Sequence, residues 1–330
     1  MSNTHFNNLK NGVLIILSIV TSVLLTIFLT GSKDTGDVSD WRNNALNQTI
    51  SVPIPPSVRF CDLDIYLDRL DMRERFDREI NTFTYFHSTT MLYIKKANRY
   101  FPIIEPILKK NNIPDDFKYL CVIESGLDTR ALSPAKAAGL WQFMESTAKD
   151  YGLEVRDEVD ERYNIEKATE AACQYFKDAY YRYGDWVNVA ASYNAGISKI
   201  STEMQKQQVD NAFDLLLVSE TSRYVFRIMA IKEIFQNPQK YGFILKRENL
   251  YPPVSVDYVD VPNGVADFSS FAKQYGINYM LLKEYNVWLR DTKLTIPRDG
   301  RSYQIAIPRQ GDLYFDKNHL KVHNKDWVVD

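Results

Sequence analysis

The chain has 330 residues, of which 45% are hydrophobic and 25% are charged. This composition excludes collagen-like, low-complexity and wholly disordered proteins, and the length predicts one large domain or about two to three small ones. Forty lysines and arginines face 42 aspartates and glutamates, and the acidic excess lies between positions 114 and 236. Because duplex binding by counterion release needs the opposite sign of charge, we expect no nucleic-acid partner.

An uncharged stretch close to the N-terminus predicts the location of the protein. Residues 13–29 carry no charged side chain, and their length matches the lower limit of about 17 residues for a helix that spans a bilayer. No A-x-A-like cleavage site follows, and Cys61 lies too far along the chain to be lipidated. We favour an uncleaved membrane anchor in segment 1–30 over a cleaved signal. Either alternative places the rest of the chain in the cell envelope, on the periplasmic side of a membrane.

The chain beyond this segment divides by its composition. Residues 31–56 are polar and then proline-rich, which is typical of a linker. Residues 57–95 are charged and amphipathic and predict an N-terminal helical extension, and helical patterns then continue through a domain at 96–245. Two strand-like runs with two short helical stretches between them predict a βααβ module at 255–309, and no structure is predicted for the tail at 310–330. The helical prediction for the extension rests on four apolar residues near helical spacing: Leu63, Leu67, Leu70 and Ile80.

A short helix is predicted before Gly126, and it carries a carboxyl group towards the interior. Pro114 suits its first turn and Gly126 ends it. Four residues share one face of this helix: Phe117, Leu120, Cys121 and Glu124. Since three of them are apolar, the face points into the domain, where burial raises a carboxyl pKa towards the range that a general acid near neutral pH requires. The alternative is a partly exposed glutamate that makes a structural hydrogen bond.

A second motif follows in the segment AAGLWQFMEST, residues 137–147. It begins with small residues, and Gly139 allows a close approach of backbone segments. It then presents Trp141, Gln142 and Met144. Alone, the segment is more typical of packing than of function.

Two more motifs lie further along the chain. AASYNAG, residues 190–196, places Tyr193 and Asn194 at the end of a helical stretch. SETSRYVFRIMAIKEIF, residues 219–235, is an amphipathic helix with Tyr224 near its start. Each of them has a packing explanation, but the four motifs together, in this order and at these spacings, are specific.

The combined pattern resembles the soluble-lytic-transglycosylase catalytic domain. The matching motifs are E-S at Glu124, G-L-W-Q at Gly139, A-S-Y-N-A-G at Ala191 and E-T-x-x-Y at Glu220, and the similarity covers about residues 95–240. The resemblance implies a mainly α protein whose helical catalytic domain has a goose-type-lysozyme-like fold with a deep sugar-binding groove. It also implies an enzyme, a lyase that acts on peptidoglycan.

The resemblance further implies a mechanism with one catalytic carboxyl group. Enzymes of this family cleave the β-1,4 bond between N-acetylmuramic acid and N-acetylglucosamine without water. Glu124 would protonate the glycosidic oxygen and then take the proton of the muramic C6 hydroxyl, which attacks C1 and leaves a 1,6-anhydro end. Ordinary glycosidases need two carboxyl groups. No cofactor and no metal is required.

Substrate-binding roles follow from the same resemblance. Trp141 would offer a stacking plane for a sugar ring, and Tyr224 would keep Glu124 protonated and in position. The full set of implied substrate-binding residues is Ser125, Trp141, Gln142, Met144, Tyr193, Asn194 and Tyr224. Asp128, Glu145 and Asp150 match no family motif as a second catalytic carboxylate, and we expect them on the surface.

The βααβ module resembles the LysM motif, which binds glycans that contain N-acetylglucosamine. Ala272, Tyr275, Gly276 and Asn286 are among the residues that supply the pattern, but the usual G-D-T-L opening is replaced by a divergent sequence that starts at Gly264. Since that loop borders the sugar groove of the motif, two roles stay open: glycan binding, or packing against the catalytic domain.

Three hypotheses about function therefore stand. The first is a lytic transglycosylase that acts on peptidoglycan glycan strands and is held at a membrane by its N-terminal segment. The alternatives are a hydrolytic muramidase on the same fold and a non-catalytic cell-wall-binding scaffold. Cell-wall machinery partners are not identified by any motif.

The cysteines carry no part of these hypotheses. The three thiols are too few and too scattered for a disulfide framework or a metal site. Cys121 and Cys173 lie among apolar helical residues and are predicted to be buried free thiols.

Overall fold

In the computed structural model, residues 51–298 and 301–329 of the chain are described. The predicted membrane segment and almost all of the predicted linker lie outside these residues. Within the described ranges, no helix combines the length and the apolar character needed to cross a membrane.

The described residues form a mainly helical body and a small strand-containing module, which confirms the predicted fold class. The α-helices are α1 (Leu70–Tyr85), α2 (His87–Lys110), α3 (Lys118–Ser125), α4 (Glu145–Asp150), α5 (Ile165–Tyr183), α6 (Trp186–Ala195), α7 (Ile197–Gln207), α8 (Ser219–Gln236), α9 (Phe268–Gln274) and α10 (Tyr279–Tyr285). The strands are β1 (Ser57–Phe60), β2 (Leu63–Tyr66), β3 (Val256–Asp260) and β4 (Gln304–Pro308).

The prediction of a helical extension at 57–95 is wrong for its first part, because a β-hairpin occupies residues 57–66. Strands β1 and β2 pair antiparallel, with Phe60 opposite Leu63. The two residues between them, Cys61 and Asp62, have φ of 48° and 67°, which is the backbone of a tight hairpin turn. The backbone N–H of Cys61 donates to the Asp116 carboxylate at 2.6 Å, so the turn is fixed by a distant part of the body. Helix α1 therefore begins only at residue 70.

Helix α3 lies in the interior of the body, between α2 and α8. Its predicted inward face is confirmed, since Phe117, Leu120 and Cys121 have no exposed surface. Aromatic rings surround this face, and the centroids of Phe117 and Phe176 are 4.5 Å apart. All three cysteines are free and buried, as predicted for two of them.

Helix α1 packs along α8 and fixes the start of that helix. Glu79 is almost fully buried, and both of its carboxylate oxygens accept hydrogen bonds from Arg223, at 2.6 and 3.0 Å. Arg75 donates to the backbone carbonyls of Phe213 and Ser222. The N-terminal extension is therefore part of the body.

The C-terminal module has the predicted βααβ order. Strands β3 and β4 pair antiparallel, and α9 and α10 lie between them in the chain. Asn286 is fully buried after α10, and its side chain both donates to the Ala306 carbonyl and accepts from the Ala306 N–H. This pair of bonds joins the helical half of the module to β4.

The module is bonded to the body through residues 154–163, the docking segment. The N–H of Asp160 donates to the carbonyl of Trp288 at 2.9 Å, and the N–H of Arg290 donates to the carbonyl of Glu158 at 2.8 Å. The backbone of the body thus pairs directly with the backbone of the module, as neighbouring strands do.

Side chains reinforce this docking. The carboxylate of Glu158 accepts from Arg156 at 2.8 Å and from both the N–H and the hydroxyl of Thr295 at 2.7 Å. Glu154 accepts from the Tyr303 hydroxyl at 2.7 Å. The module and the body therefore share one continuous hydrogen-bonded interface.

The chain returns to the body after the module, where no structure was predicted. Trp327 is buried, its ring centroid lies 6.0 Å from that of Phe101, and its indole N–H donates to the carbonyl of Phe235 at 2.9 Å. His323 lies 3.0 Å from a carboxylate oxygen of Glu105 on α2. The tail is thus a structural part of the body.

Candidate active site

The last turn of α3 presents Glu124 beside helices α2 and α8. Gly126 ends α3 with φ of 60°, a left-handed conformation that suits glycine. A Cβ atom at this position would lie 2.5 Å from the Tyr93 ring, so the site also requires glycine for space. Lys96 donates to the Gly126 carbonyl at 3.0 Å. The end of the helix is therefore held from α2, and Glu124 keeps a fixed direction.

The environment of Glu124 favours its protonated form. The side chain is half-buried, and burial raises its pKa to about 7. The hydrogen bond from Tyr224 and the positive charge of Arg227 act in the opposite direction, while the negative charge of Glu220 adds a smaller upward contribution. A carboxyl group with this pKa is partly protonated at neutral pH, as a general acid must be.

The contact with Tyr224 differs from the expected one. The Tyr224 hydroxyl donates to Oε1 of Glu124 at 2.6 Å, and this bond stabilises the carboxylate, so it lowers the pKa. The prediction that Tyr224 keeps Glu124 protonated is therefore wrong, because burial does this. Tyr224 instead fixes Oε1. The other oxygen, Oε2, makes no hydrogen bond with any residue in the described ranges and is the free one.

Arg227 is a site residue that the sequence analysis missed. It follows Tyr224 by three positions on α8 and so lies on the same helix face, and its charge acts on both Glu124 and Tyr93. Its guanidinium forms no ion pair or hydrogen bond with the part of the chain that the structure describes. The signal was present in the sequence, since helical spacing from Tyr224 points to position 227.

The G-L-W-Q motif forms a tight loop against the docking segment. Gly139 has φ of 76°, and a Cβ atom there would lie 1.8 Å from the Arg162 carbonyl oxygen, so the predicted close backbone approach is confirmed. Gln142 has φ of 49°, an uncommon conformation for a residue with a side chain. Its amide donates to the Gly139 carbonyl at 2.8 Å, which leaves the side-chain oxygen available.

Trp141 does not have the expected role. The ring has no exposed surface, and its N–H donates to the Thr169 hydroxyl at 2.8 Å. It packs edge-on against Phe176 with the centroids 5.7 Å apart. The prediction of a stacking plane for a sugar is therefore wrong. A motif specifies that an aromatic residue is present, but not the direction in which its ring points.

The A-S-Y-N-A-G motif joins the other motifs through two hydrogen bonds. The Tyr193 hydroxyl donates to the Trp141 carbonyl at 2.7 Å, which ties α6 to the G-L-W-Q loop. The Asn194 side-chain oxygen accepts from the Thr221 hydroxyl at 2.8 Å, which ties α6 to the E-T-x-x-Y motif on α8. The Asn194 amide nitrogen makes no hydrogen bond within the described ranges, so it is available to a ligand.

Burial and the negative charge of Glu124 both raise the pKa of Tyr193, which places this ring near the acid. Ser125, the neighbour of Glu124, donates its hydroxyl to the Cys121 carbonyl of its own helix at 2.9 Å. Met144 is 44% exposed at the start of α4. Contacts of these three residues with a substrate stay predictions.

Among the described residues, no carboxylate near these motifs shares the environment of Glu124. Asp128 and Asp150 are exposed, and Glu145 is exposed and paired with Lys149 at 2.6 Å. Glu220 is exposed, yet close enough for its charge to act on Glu124. Across the described ranges, no group of histidine, cysteine, aspartate or glutamate side chains has the arrangement of a metal site.

Comparison with known families gives two matches along the chain. Residues 101–215 match the transglycosylase SLT domain, and residues 257–311 match the soluble lytic transglycosylase C-terminal LysM-like domain. The first match contains Glu124 and the G-L-W-Q and A-S-Y-N-A-G motifs. The second covers the βααβ module.

Curated relatives share these regions. Membrane-bound lytic murein transglycosylase D of Escherichia coli K12 is 28% identical over 244 residues, which are 72% of this chain and 52% of the relative. A putative tributyltin chloride resistance protein of Alteromonas sp. M-1 is 27% identical over 117 residues, which are 35% of this chain and 56% of the relative. The chain thus spans about half the length of the curated relatives it matches.

Two solved structures are similar in part. The 70 kDa soluble lytic transglycosylase of Escherichia coli has a TM-score of 0.37 and 21% identity, over 42% of this chain and 24% of that one. An inactive mutant of the lytic transglycosylase Slt of Pseudomonas aeruginosa has a TM-score of 0.34 and 16% identity, over 41% and 24%. Residues 101–215 thus form a transglycosylase SLT domain, and residues 257–311 form a C-terminal LysM-like domain of the kind found in soluble lytic transglycosylases.

Proposed function

We propose that the protein is a peptidoglycan lytic transglycosylase. It cleaves the β-1,4 bond between N-acetylmuramic acid and N-acetylglucosamine without water and leaves a 1,6-anhydro-muramic end. The observation that carries this proposal is the half-buried carboxyl group of Glu124, whose pKa burial raises to about 7 and whose Oε2 has no hydrogen-bond partner among the described residues. The four motifs around it supply the rest of the support.

In the first step, Glu124 acts as a general acid. Tyr224 holds Oε1, so the proton resides on Oε2, from which it passes to the glycosidic oxygen as the bond from C1 to that oxygen breaks. The N-acetylglucosamine side leaves as an alcohol. The positive charge that develops at C1 is met by the newly formed carboxylate, and Tyr224 and Arg227 stabilise that carboxylate.

In the second step, Glu124 acts as a base. Its carboxylate takes the proton of the C6 hydroxyl of the muramic unit, and the C6 oxygen forms the new bond to C1. One bond to C1 is lost and one is gained, the acid regains its proton, and no water is consumed. The hydrogen bond from Tyr224 favours the first step because it stabilises the carboxylate, and it opposes the second to the same extent.

The other motifs suit the binding of sugar amides and hydroxyls. Gln142 offers a side-chain oxygen whose position is fixed by the Gly139 carbonyl, and Asn194 offers an amide nitrogen whose position is fixed by Thr221. One is an acceptor and the other a donor, as an acetamido group requires. We propose that these two residues hold acetamido groups of the glycan strand.

Hydrolysis is the second candidate, and one observation favours it. Glu220 is a second carboxylate whose charge reaches Glu124. An inverting glycosidase places a base at a distance that leaves room for a water molecule. If Glu220 were that base, the product would carry a free reducing end in place of the anhydro ring.

Mass spectrometry of digested peptidoglycan separates the two candidates. We expect muramic ends that are lighter than the hydrolysis product by the mass of one water molecule. The Glu220→Gln variant should keep the rate and the anhydro product, as should the matched control Glu145→Gln, which alters an exposed glutamate in the same domain. Reducing ends in the digest of the parent, lost in Glu220→Gln but not in Glu145→Gln, would establish the muramidase instead.

We also propose that the protein acts at a membrane of the cell envelope, on the periplasmic side. The uncharged residues 13–29 support this location, and the Escherichia coli relative is named as membrane-bound. The full chain should sediment with membranes after a carbonate wash, and a chain without residues 1–30 should be released. Release of both forms would contradict the anchor.

For the LysM-like module, the structure favours a packing role. The divergent loop is closed, because Val265 and Leu294 exchange two backbone hydrogen bonds of 2.8 Å and a Cβ atom at Gly264 would lie 2.2 Å from the Leu294 oxygen. An open depression beside Phe271 remains at this loop. Titration with N-acetylglucosamine oligomers, followed by NMR signals of Phe271 and Asp267, tests whether glycan binding is retained.

A further inference from the structure

A pocket of about 190 Å³ lies where the module meets the helical body, away from Glu124. Tyr100 and Ile103 of α2 and Tyr163 of the docking segment form its wall on the body side. On the module side the wall is formed by Tyr285 and Trp288. We call this space the interface pocket.

The walls of the interface pocket are held in place by contacts between the body and the module. The Trp288 carbonyl accepts from the Asp160 N–H, and the Arg290 guanidinium lies 4.4 Å from the centroid of the Tyr163 ring. The pocket is therefore formed before any ligand arrives. A preformed pocket binds without the entropic cost of ordering its walls.

The chemistry of the interface pocket suits a sugar ring. A pyranose has an apolar C–H face and a rim of hydroxyl groups, and tyrosine combines a flat apolar ring with a polar end in the same way. The hydroxyl groups of Tyr100 and Tyr285 make no hydrogen bond within the described ranges, so both are free to bond a ligand. Glu284 is exposed at the rim, and within the part of the chain that the structure describes only one of its carboxylate oxygens is engaged, by Arg130 at 2.7 Å.

The position of the interface pocket connects it with the acid. Tyr93 packs over Gly126 at the end of the acid-bearing helix, and Tyr100 follows it by seven residues on the same face of α2, about 10 Å further along the helix axis. Thr129, five positions beyond Glu124, also lines the pocket. A glycan strand bound at Glu124 and running along this face of α2 would reach the pocket within a few sugar units.

We infer that the interface pocket is a second sugar-binding site, which takes an N-acetylhexosamine unit of the same glycan strand a few units from the bond that is cleaved. This inference rests on the proposed function. The module would then bind substrate through the interface pocket, and this role would not depend on its divergent loop. Long strands occupy both sites, and short ones occupy the acid site alone.

Strand binding to a catalytically silent protein tests the inference. In the full chain carrying Glu124→Gln, the dissociation constant is measured by calorimetry for stem-free glycan strands that are either long or only disaccharides. Adding Tyr100→Ala should raise the dissociation constant for long strands about tenfold and leave that for the disaccharide unchanged. The matched control is Tyr181→Ala, which removes a 95% exposed tyrosine near the far end of α5 and should change neither value.

A second variant covers the case in which Tyr100→Ala does not fold. Tyr100→Phe with Tyr285→Phe keeps both rings and removes only the free hydroxyl groups, so it should weaken long-strand binding about fivefold. Unchanged long-strand binding would overturn the inference, as would equal weakening for both lengths. An effect seen only with stem-bearing strands would assign the pocket to the peptide and would also overturn it.

These outcomes are independent of the proposed function. If the active protein yields no anhydro ends, the proposed function fails, while binding to the Glu124→Gln form still reports on the pocket. If anhydro ends form and the pocket variants bind like their parent, only the inference about the pocket fails.

Discussion

Two glutamates in this protein lose much of their contact with water, and their pKa values move in opposite directions. Burial would raise the pKa of Glu158 in the docking segment, but hydrogen bonds from Arg156 and Thr295 outweigh it and lower the pKa to about 2. At Glu124, burial prevails over the single hydrogen bond from Tyr224 and raises the pKa to about 7. Glu158 accepts several hydrogen bonds that stabilise its charged form, whereas Glu124 accepts, among the described residues, only the one from Tyr224.

The same contrast holds for the cations of the two regions. Arg156 donates to Glu154 at 2.6 Å and to Glu158 at 2.8 Å, whereas Arg227 beside the acid has no such partner within the described ranges. In the docking segment these charged side chains are paired within the protein, so they stabilise the fold. The acid site leaves polar atoms free, which is the condition for binding and for proton transfer.

The largest effect is expected at the acid itself. Replacement of Glu124 by Gln removes the transferable proton while the shape of the side chain is kept, so the rate of peptidoglycan cleavage should fall by about 10²–10⁴-fold. The melting temperature should change little. The measurement is anhydro-muropeptide release per folded molecule. Equal activity of variant and parent would end the catalytic claim for Glu124, and no release by the parent would favour the non-catalytic scaffold.

The corresponding substitution in the docking segment is Glu158→Gln. It breaks charged hydrogen bonds to Arg156 and Thr295 at a largely buried position, so the free energy of unfolding should fall by about 2–3 kcal/mol. Activity per folded molecule should be preserved, because Glu158 lies outside the acid site. Denaturant unfolding combined with the cleavage assay checks both parts. Lost activity at full stability would place Glu158 in the catalytic machinery and end the contrast.

The lowered pKa of Glu158 also predicts a dependence of stability on pH. A carboxyl group whose pKa is lower in the folded than in the unfolded state stabilises the fold above its unfolded value and loses this contribution as the pH falls towards the folded value. The window therefore runs from the ordinary pKa of 4.5 down to about 2. As the pH falls through this range, the difference in the free energy of unfolding between the parent and Glu158→Gln should become smaller.

A smaller effect is expected for Tyr224→Phe. The variant keeps the ring and removes the bond to Oε1, so the pKa of Glu124 should rise and the acid should lose its orientation. If Glu124 acts as the proposed general acid in its protonated form, kcat/KM of the parent should fall as the pH increases through about 7. In the variant this alkaline limb should move to higher pH, with a rate about tenfold lower. An unshifted limb with a lower rate would limit Tyr224 to substrate contact.

The smallest effect is expected for Arg227→Gln. Loss of the positive charge removes a contribution that lowers the pKa of Glu124, so the alkaline limb should again move upwards, by less than about one pH unit. The shift should diminish in high salt, because salt screens partly exposed charges. A downward shift would contradict the electrostatic role of Arg227, and the control is Lys149→Gln, which lies in a solvent-exposed ion pair.

Helical periodicity and strand alternation correctly predicted the elements that are determined by residues close together in the sequence. The face of α3 that carries Glu124 follows from helical periodicity, and the βααβ module follows from alternation and turn residues. The hairpin at residues 57–66 did not follow, because its turn uses Cys61 and Asp62 at positive φ, where glycine or asparagine would be the usual signal. Asp116, distant in the chain, supports that turn.

The remaining differences concern orientation and long-range contacts. Spacing identified Trp141 as part of a motif, but the hydrogen bond to Thr169 that turns the ring inwards lies outside the motif. The docking of the module depends on pairs such as Glu154 with Tyr303, which nothing local connects. Helical spacing would have found Arg227, and the contact between Asn194 and Thr221 needed the fold.

Because the tail packs back against the helical body, the fold can be completed only late in synthesis. His323 contacts Glu105 across 218 positions of sequence, and Glu105 in turn pairs with Lys118, the first residue of the helix that carries the acid. On the ribosome this chain of contacts cannot be completed before residue 323 has been synthesised, since non-local contacts wait for both partners. The nascent protein therefore carries its acid on a helix that lacks its final support.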